Sequence, residues 1–282
     1  MAQFVNIFVG LATALIGYII GRFWQRLVDW LPHRRARIFL GPIMRGQVQI
    51  VASRFSSTEF REPTGLVGGG DAFALRELAT FFGNIGFKQF DVVYVDERTL
   101  DRRHNLILFG SQGTNQVTLD VMDLVKPNVT IVDPGPGIPM EVHDLAPGQE
   151  PDSAGAKRVS QQCEYRATPG VVDYGIIVRA RNPFSPGKAV IIIAGAYGYG
   201  SWAGADLIQQ DVFLRKCEQL DLQHISTSTD KRHTTAVFRR IKASMLSEAA
   251  DRPWAPLECI FKVRIFDDRP LAPEIIVFRP LL

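Results

Sequence analysis

The sequence predicts an α/β protein built as a three-layer sandwich with an antiparallel C-terminal edge, preceded by one transmembrane helix. Apolar runs of strand length alternate with amphipathic helical patterns, and glycine-rich turns join them. The last apolar runs follow each other without an intervening helix, which favours antiparallel strands at the edge of the sheet. An uncharged apolar stretch at the N-terminus predicts the membrane helix.

The N-terminal stretch, residues 4–20, reads FVNIFVGLATALIGYII and contains no charged residue. Extended to Trp24, it is long enough to cross the roughly 30 Å hydrocarbon layer of a bilayer. A cleaved signal peptide is the alternative, but it requires a basic start, and MAQFVN has no lysine or arginine. We therefore predict an anchor over 1–24, a basic juxtamembrane linker over 25–46 and a cytoplasmic α/β domain over 47–282.

Basic residues follow the predicted span and none precedes it. The positive-inside rule then predicts a single-pass protein of the inner (cytoplasmic) membrane, with its N-terminus outside and its large domain in the cytoplasm. Small residues recur along the span at heptad-like spacings, and they predict a homo-oligomer through helix packing in the bilayer. The alternative is that glycine and alanine are simply common in membrane helices. The residues of this stripe are Gly10, Ala14, Gly17 and Gly21.

Composition restricts the other partners. The formal net charge is +3, and the basic cluster after the span accounts for it, so no nucleic-acid partner is predicted. The three cysteines, Cys163, Cys217 and Cys259, show no metal-binding spacing. We expect three reduced thiols rather than one disulfide and a free thiol, and no metal site. Nothing in the sequence selects a cofactor.

The order of elements in the large domain predicts a Rossmann-like layout. Helical patterns begin near Asp71, residue 116 and Trp202, the last of them running towards Leu220. Residues 133–172 break the rhythm with six prolines, and we expect an irregular insertion there, either a ligand cover or a short hairpin or mobile loop. The predicted strands are 47–53, 90–95, 105–109, 129–132, 173–184, 189–193, 258–266 and 274–279, with 235–239 as a weaker one.

Three glycine-rich turns each join an apolar strand to a helix, around 68–71, 110–115 and 195–201. Glycine lets the backbone approach a ligand, and the free N–H groups of a helix N-terminus attract anions. If the strands are parallel, the turns meet at one edge of the sheet. The predicted ligand-binding residues are Gly69, Gly70, Asp71, Gly110, Ser111, Gln112, Thr114, Asn115, Gly195, Tyr197, Gly198, Tyr199, Gly200 and Ser201, with Trp202 as a further stacking surface for a base. The alternative is that the glycines only make tight turns.

Several enzyme motifs are absent from the sequence. The turn GAYGYG does not have the GxGxxG spacing, and the chain contains no GxxxxGK[ST], GxSxG or HExxH. The histidines, among them His104, His143, His224 and His233, are isolated in the sequence and more typical of surface positions. Five carboxylates near the predicted edge are candidates for acid–base chemistry on a glycosidic bond, but their spacing selects no pair. They are Asp71, Glu77, Asp96, Asp133 and Asp173.

Two segments, LILFGSQGTN and DYGIIVRARNPFSPGKAVIIIAGAYGYGSWAGA, resemble a bacterial Rossmann-like domain over about 47–215. That domain carries a G-G-P-x-x-N type motif and a later G-x-x-G-Y-G-[TS] motif, and it is fused to helix-turn-helix regions or membrane helices. This chain has Gly110-Ser111-Gln112 in place of Gly-Gly-Pro. The layout is similar to nucleotide-sensing and nucleoside-processing domains of bacterial signalling and anti-phage systems, which implies a nucleotide-like ligand.

Three functions therefore remain open. The first is a membrane-anchored cytoplasmic sensor or effector that binds a small nucleotide-like ligand at the glycine-rich loops, in bacterial signalling or anti-phage defence. The second is a nucleoside or NAD hydrolase, or a glycosyl-transfer enzyme, using carboxylates at the same edge. The third is a membrane-tethered protein-interaction module. Binding is favoured over catalysis, because no catalytic motif accompanies the loops.

Overall fold

A computed structural model describes residues 17–18, 21, 33–53, 68–145, 163–228 and 254–281. The helices are α1 (33–40), α2 (Gly69–Asn84), α3 (Gln116–Val125), α4 (Gly198–Leu207) and α5 (Asp211–Ser228), and a 3-10 helix, Gly41–Arg45, follows α1. The strands are β1 (Val48–Ala52), β2 (Phe90–Tyr94), β3 (Asn105–Phe109), β4 (Val129–Val132), β5 (Glu141–Asp144), β6 (Cys163–Arg166), β7 (Val172–Arg181), β8 (Ala189–Gly195), β9 (Leu257–Phe266), β10 (Arg269–Pro270) and β11 (Glu274–Pro280). The predicted strand at 235–239 lies outside the described residues.

The main sheet has the order β10-β9-β7-β8-β3-β1-β2, and β11 pairs with β9. Strands β2, β1, β3 and β8 are parallel to one another, whereas β7 is antiparallel to both β8 and β9. The α/β class and the antiparallel C-terminal edge are therefore confirmed. The chain goes from β1 through α2 to β2 and then crosses to the other side of β1, so the strand order reverses between β1 and β3. Ligands of open α/β sheets bind at such reversals, beyond the carboxyl ends of the strands.

The sheet separates two cores because successive side chains of a strand point to opposite faces. In β3, Ile107 and Phe109 join the core on one side, which α1, α2, α4 and α5 cover. Leu106 and Leu108 join the core on the other side, which α3 and the small sheet of β4 and β5 cover. All residues of β1, β3 and β8 are buried, which explains why these strands are apolar except for Gln49 and Asn105.

Two segments differ in detail from what the sequence predicts. The segment 133–172 is irregular only in part, since β5 and β6 within it pair with each other, and β5 also pairs with β4, in a three-stranded antiparallel sheet. Each strand has four residues, too few to show a period of two. The predicted helix from Trp202 towards Leu220 is two helices, because α4 begins at Gly198, ends at Leu207 and is followed by α5.

The predicted transmembrane helix is contradicted. Within the described part of the chain, no helix has both the length and the apolar character that crossing a bilayer requires. Most of the predicted span lies outside the described residues, including Gly10 and Ala14. Gly17 and Gly21 are helical and exposed, and a Cβ atom on either would meet nothing within 4 Å. The prediction of a single-pass protein of the inner membrane is therefore wrong, and association through this helix is not proposed further.

Candidate functional site

A cavity of about 690 Å³ lies beyond the carboxyl ends of β1, β3 and β8. We call it the strand-end cavity. Its wall includes residues from all three glycine-rich turns, so the structure brings together segments that are far apart in the sequence. The lining residues are Gly68, Gly69, Gly70, Asp71, Phe73, Gly110, Ser111, Thr114, Met140, Pro169, Gly170, Gly195, Ala196, Tyr197, Gly198, Tyr199, Ser201, Trp202, Ile265 and Asp268.

Two helices begin side by side at this cavity. The first turns of α2 and α4 approach so closely that a Cβ atom on Gly70 would overlap the backbone of Gly198. In the opposite direction, a Cβ atom on Gly198 would lie 3.1 Å from the Cα atom of Gly70. Neither helix has a side-chain hydrogen bond from its N-cap residue, Gly68 or Tyr197. Glycine at these two positions therefore lets both N-termini reach the same cavity wall.

The turn after β3 depends on a positive backbone angle. Gly110 has a φ of +95°, and a Cβ atom there would lie 2.5 Å from Ser53 Oγ and 2.8 Å from Thr114 Oγ1. The turn then ends at Asn115, whose side chain accepts hydrogen bonds from the N–H groups of Val117 (3.0 Å) and Thr118 (3.2 Å). Asn115 thus caps α3, and it does not line the cavity.

Gln112 and Gly200 also lie outside the cavity wall. The Gln112 amide turns towards β4, where it donates to the carbonyl oxygen of Ile131 at 2.7 Å. Gly200 is buried in the first turn of α4, where a Cβ atom would lie 2.7 Å from the carbonyl oxygen of Tyr174. Both residues therefore have structural contacts, and together with Asn115 they are the three predicted ligand-binding residues that do not line the cavity.

Asp173, at the start of β7, caps α4 from a neighbouring strand. Its carboxylate accepts hydrogen bonds from the N–H groups of Gly200 (2.6 Å), Tyr197 (3.1 Å) and Tyr174 (2.7 Å). The residue is completely buried and does not line the cavity. Burial raises the pKa of Asp173 from 3.8 to about 7, although its three N–H donors act in the opposite direction. The position of this carboxyl is explained by helix capping.

Asp71 is the carboxylate of the inner cavity wall. It belongs to the first turn of α2 and is 8% exposed. The Ser201 hydroxyl bonds to it, and the same hydroxyl accepts the N–H of Gly195 at 3.3 Å. Burial raises the pKa of Asp71, and the hydrogen bond from Ser201 offsets part of that rise. The hydrogen bond between Asp71 and Ser201 thus links the first turn of α2 to the first turn of α4 at the cavity wall.

Partly exposed aromatic side chains form one edge of the cavity, which we call the aromatic rim (Phe73, Tyr199 and Trp202). The rings of Phe73 and Trp202 stack with centroids 4.3 Å apart and an interplanar angle of 23°. Arg76 covers Phe73, with its guanidinium carbon 5.1 Å from the ring centroid. The Tyr199 hydroxyl donates to Asp268 at 3.3 Å. Aromatic rings held in this way offer flat surfaces to a ligand ring.

Sequence reasoning missed Phe73, which lies on α2 two residues after Asp71. It also missed the lining residues from distant segments, Met140, Pro169, Gly170, Ile265 and Asp268. Asp268 offered one local signal, since the pair Asp267-Asp268 forms a turn with φ values of 51° and 53°. The other distant residues depend on how β5, β7 and β9 pair. No histidine among the described residues lines the cavity, and neither do the predicted carboxylates Glu77, Asp96 and Asp133.

Outside the cavity, one group of possible metal ligands lies on β5 and β6. Oxygen and nitrogen atoms of Glu141, His143 and Glu164 come within 4.8 Å of one another. Glu141 already accepts Arg166 Nε at 2.6 Å and contacts His143 Nε2 at 2.8 Å. These two partners lower the pKa of Glu141. The arrangement is explained as a small ion-pair network across the two strands.

No protein-family model and no curated protein matches the chain. The function is therefore argued from the geometry of the strand-end cavity.

Proposed function

We propose that the protein binds a small nucleotide-like ligand in the strand-end cavity. The observation that carries the proposal is the convergence of three glycine-bearing segments, the start of α2 and the turns after β3 and β8, on one cavity that also has an aromatic rim. A volume of about 690 Å³ lies within the usual range for small-molecule sites, roughly 300–1,000 Å³. A ligand with a flat ring and a polar sugar-like part matches this division of the wall into aromatic and polar regions.

The polar part of the wall supports the same ligand class. Gly69 and Gly70 present backbone groups of a helix start that no side chain of the N-cap residue satisfies. The hydroxyl groups of Ser111, Thr114 and Ser201 and the Asp71 carboxyl add donors and acceptors of the kind that bind ligand hydroxyl groups. These groups lie in the turn after β3 and in the first turns of α2 and α4, so they face the cavity from three separate segments.

The experiment measures ligand binding by the full chain against a panel of nucleosides and nucleotides, first by thermal shift and then by calorimetric titration. A ligand that binds only the folded protein raises its stability by about 2.7 kcal/mol when its concentration is 100 times Kd. We expect one chemical group within the panel to raise Tm in this way. If no member of the panel changes Tm, the proposal is wrong.

A substitution in the cavity wall tests whether the ligand binds in the strand-end cavity. A Cβ atom on Gly69 meets nothing within 4 Å, so Gly69→Val adds bulk at the wall without a clash in the fold. Gly83, in the same helix, is equally open and does not line the cavity, which makes Gly83→Val the matched control. We expect Gly69→Val to weaken binding at least tenfold and Gly83→Val to bind as the wild type does. Equal binding by both variants would place the ligand elsewhere.

One observation favours a second function, hydrolysis or transfer at a glycosidic bond. Buried carboxyl groups with a raised pKa are frequent at catalytic sites, and the raised pKa of Asp71 comes from burial at the cavity wall. Asp173 is not proposed for this role because its carboxylate caps α4. Turnover of nucleosides or NAD by the wild type that Asp71→Asn abolishes would establish the enzyme; binding by the wild type without turnover would leave the first proposal standing alone.

A further inference from the structure

The charged groups of the strand-end cavity are all of one sign. Two carboxylates, Asp71 and Asp268, line it, and no lysine, arginine or histidine among the described residues does so. Asp268 lies on the exposed turn between β9 and β10, and Asp71 lies on the inner wall. Arg76 and Arg269 line an adjoining cavity that shares Asp268 with this one. Within the strand-end cavity itself the charged side chains are both acidic, which disfavours an anionic ligand through direct repulsion.

The two helix N-termini at the cavity do not make it a favourable site for an anion. A helix N-terminus carries a partial positive charge that attracts phosphate, unless a carboxylate of the protein already lies beside it. At α4 that carboxylate is Asp173, which accepts the N–H groups of Gly200 at 2.6 Å and Tyr197 at 3.1 Å. At α2 it is Asp71, which lies in the first turn of the helix. Asp173 thus occupies N–H groups of α4 that a phosphate would use, and an acid of the protein already lies in the first turn of α2.

The groups that remain for a ligand are uncharged donors and acceptors. Ser111 is 4% exposed and lines the cavity, so its hydroxyl belongs to the polar part of the wall. The carboxylate of Asp71 is an acceptor for sugar hydroxyl groups, as an acid is in many ribose sites. Trp202 and Tyr199 supply the flat surface for a ring.

We propose that the ligand is uncharged and rich in hydroxyl groups, a nucleoside-class compound rather than a phosphorylated nucleotide. Ser111 and Asp71 bind its hydroxyl groups, and the aromatic rim contacts its ring. The same two carboxylates that select for an uncharged ligand exclude its phosphorylated forms. This inference rests on the proposed binding function and narrows the class of ligand within it.

The test compares matched series by calorimetric titration of the full chain: each of adenosine, guanosine, cytidine and uridine with its 5′-mono-, di- and triphosphate. For the base that binds, we expect the nucleoside to have the lowest Kd. The first phosphate should raise Kd at least tenfold, and further phosphates should raise it more. The increase should shrink at higher salt, since mobile ions screen repulsion between charges.

A neutralising substitution tests the cause. Asp268→Asn removes one negative charge from the entrance and keeps a residue that tolerates the positive φ of 53°. It should reduce the ratio between the Kd of the monophosphate and that of the nucleoside at least threefold. Asp123 is exposed, lies on α3 and does not line the cavity, so Asp123→Asn is the matched control and should leave the ratio unchanged.

The possible results separate the two proposals. Tightest binding of the nucleoside, with a ratio that falls in Asp268→Asn, supports the inference. Equal or tighter binding of a phosphorylated member overturns it and leaves the binding function in place. Absence of binding by every member of the panel overturns both.

Discussion

Gly70 of α2 and Gly198 of α4 are in direct backbone contact, and this contact sets the distance between the two helix starts at the strand-end cavity. A side chain at Gly70 would overlap main-chain atoms of Gly198, which cannot rotate away as a flexible side chain would. Adjacent in the same turn, Gly69 faces open space. A side chain at Gly70 would therefore clash with α4, whereas a side chain at Gly69 would not.

Gly70→Ala should lower the free energy of unfolding by roughly 1–3 kcal/mol, the usual range for overpacking at a close contact. Gly69→Ala should be neutral or stabilise by up to about 1 kcal/mol, because alanine has the higher helix propensity. Urea denaturation of both variants measures the difference. Equal stability of the two would show that α2 and α4 can separate at little cost.

A buried ion pair connects β7 to α5. Arg179 of β7 donates to Asp221 of α5 at 2.5 Å, and both side chains are almost completely buried. Arg179 also donates to the carbonyl oxygens of Phe39 and Ala255, and Trp254 covers its guanidinium group at 4.8 Å. One side chain thus joins α1, β7, α5 and the segment that leads into β9.

Removing one member of this pair leaves the other charge buried without its partner. Arg179→Met should lower the free energy of unfolding by about 3–5 kcal/mol. The double variant Arg179→Met, Asp221→Leu should cost less than the sum of the two single variants. A double-mutant cycle in urea measures this coupling, and simple additivity would show that the two side chains do not stabilise each other.

The pKa of Asp173, raised from 3.8 to about 7, predicts a pH dependence of stability. The folded state retains a proton on this carboxyl that the unfolded state loses near pH 4. Its contribution to stability is therefore complete below about pH 4 and is lost as the pH rises through about 7. The Tm of the wild type minus the Tm of Asp173→Asn should therefore decrease between pH 5 and pH 8. A difference that does not change with pH would show that this carboxyl has its ordinary pKa.

The buried thiols predict a pattern of chemical modification. Burial raises the pKa of Cys217 to about 12, and it also raises the pKa of Cys259. Because the thiolate is the reactive form, neither cysteine should react with iodoacetamide in the folded protein at neutral pH. Both should react fully in denaturant, as mass spectrometry of peptides measures. Modification of either cysteine in the folded state would show that α5 or β9 opens readily.

The sequence predicted the fold best where local pattern decides it. The strands β3 and β8 and the turns after them are continuous segments, so their position at one edge followed from the parallel pairing of β3 with β8. The positions of Ile265 and Asp268 in the wall were not predictable, because they depend on the pairing of β7 with β9. Asp173 looked like a possible catalytic acid in the sequence, and only its contact with Gly200 shows that it caps a helix.

Strands β5 and β6 illustrate a different limit. The sequence of β5 is Glu141-Val142-His143-Asp144, with one buried apolar residue, Val142, that packs under the main sheet. A single apolar residue carries no periodic signal, so the segment was predicted as part of an irregular insertion. The predicted membrane helix rested on the uncharged apolar stretch 4–20, whereas no helix of the described residues has the length and apolar character to cross a bilayer.

Because residues of β9 and of the turn after it line the cavity, the cavity wall is completed only late in synthesis. During synthesis, the strand ends after β1, β3 and β8 leave the ribosome well before Ile265 and Asp268, which complete the cavity wall. A partly synthesised chain therefore has the glycine turns but only an incomplete cavity. A ligand would consequently stabilise molecules only after β9 has joined the sheet, and its presence would favour survival of finished chains over truncated ones in the cell.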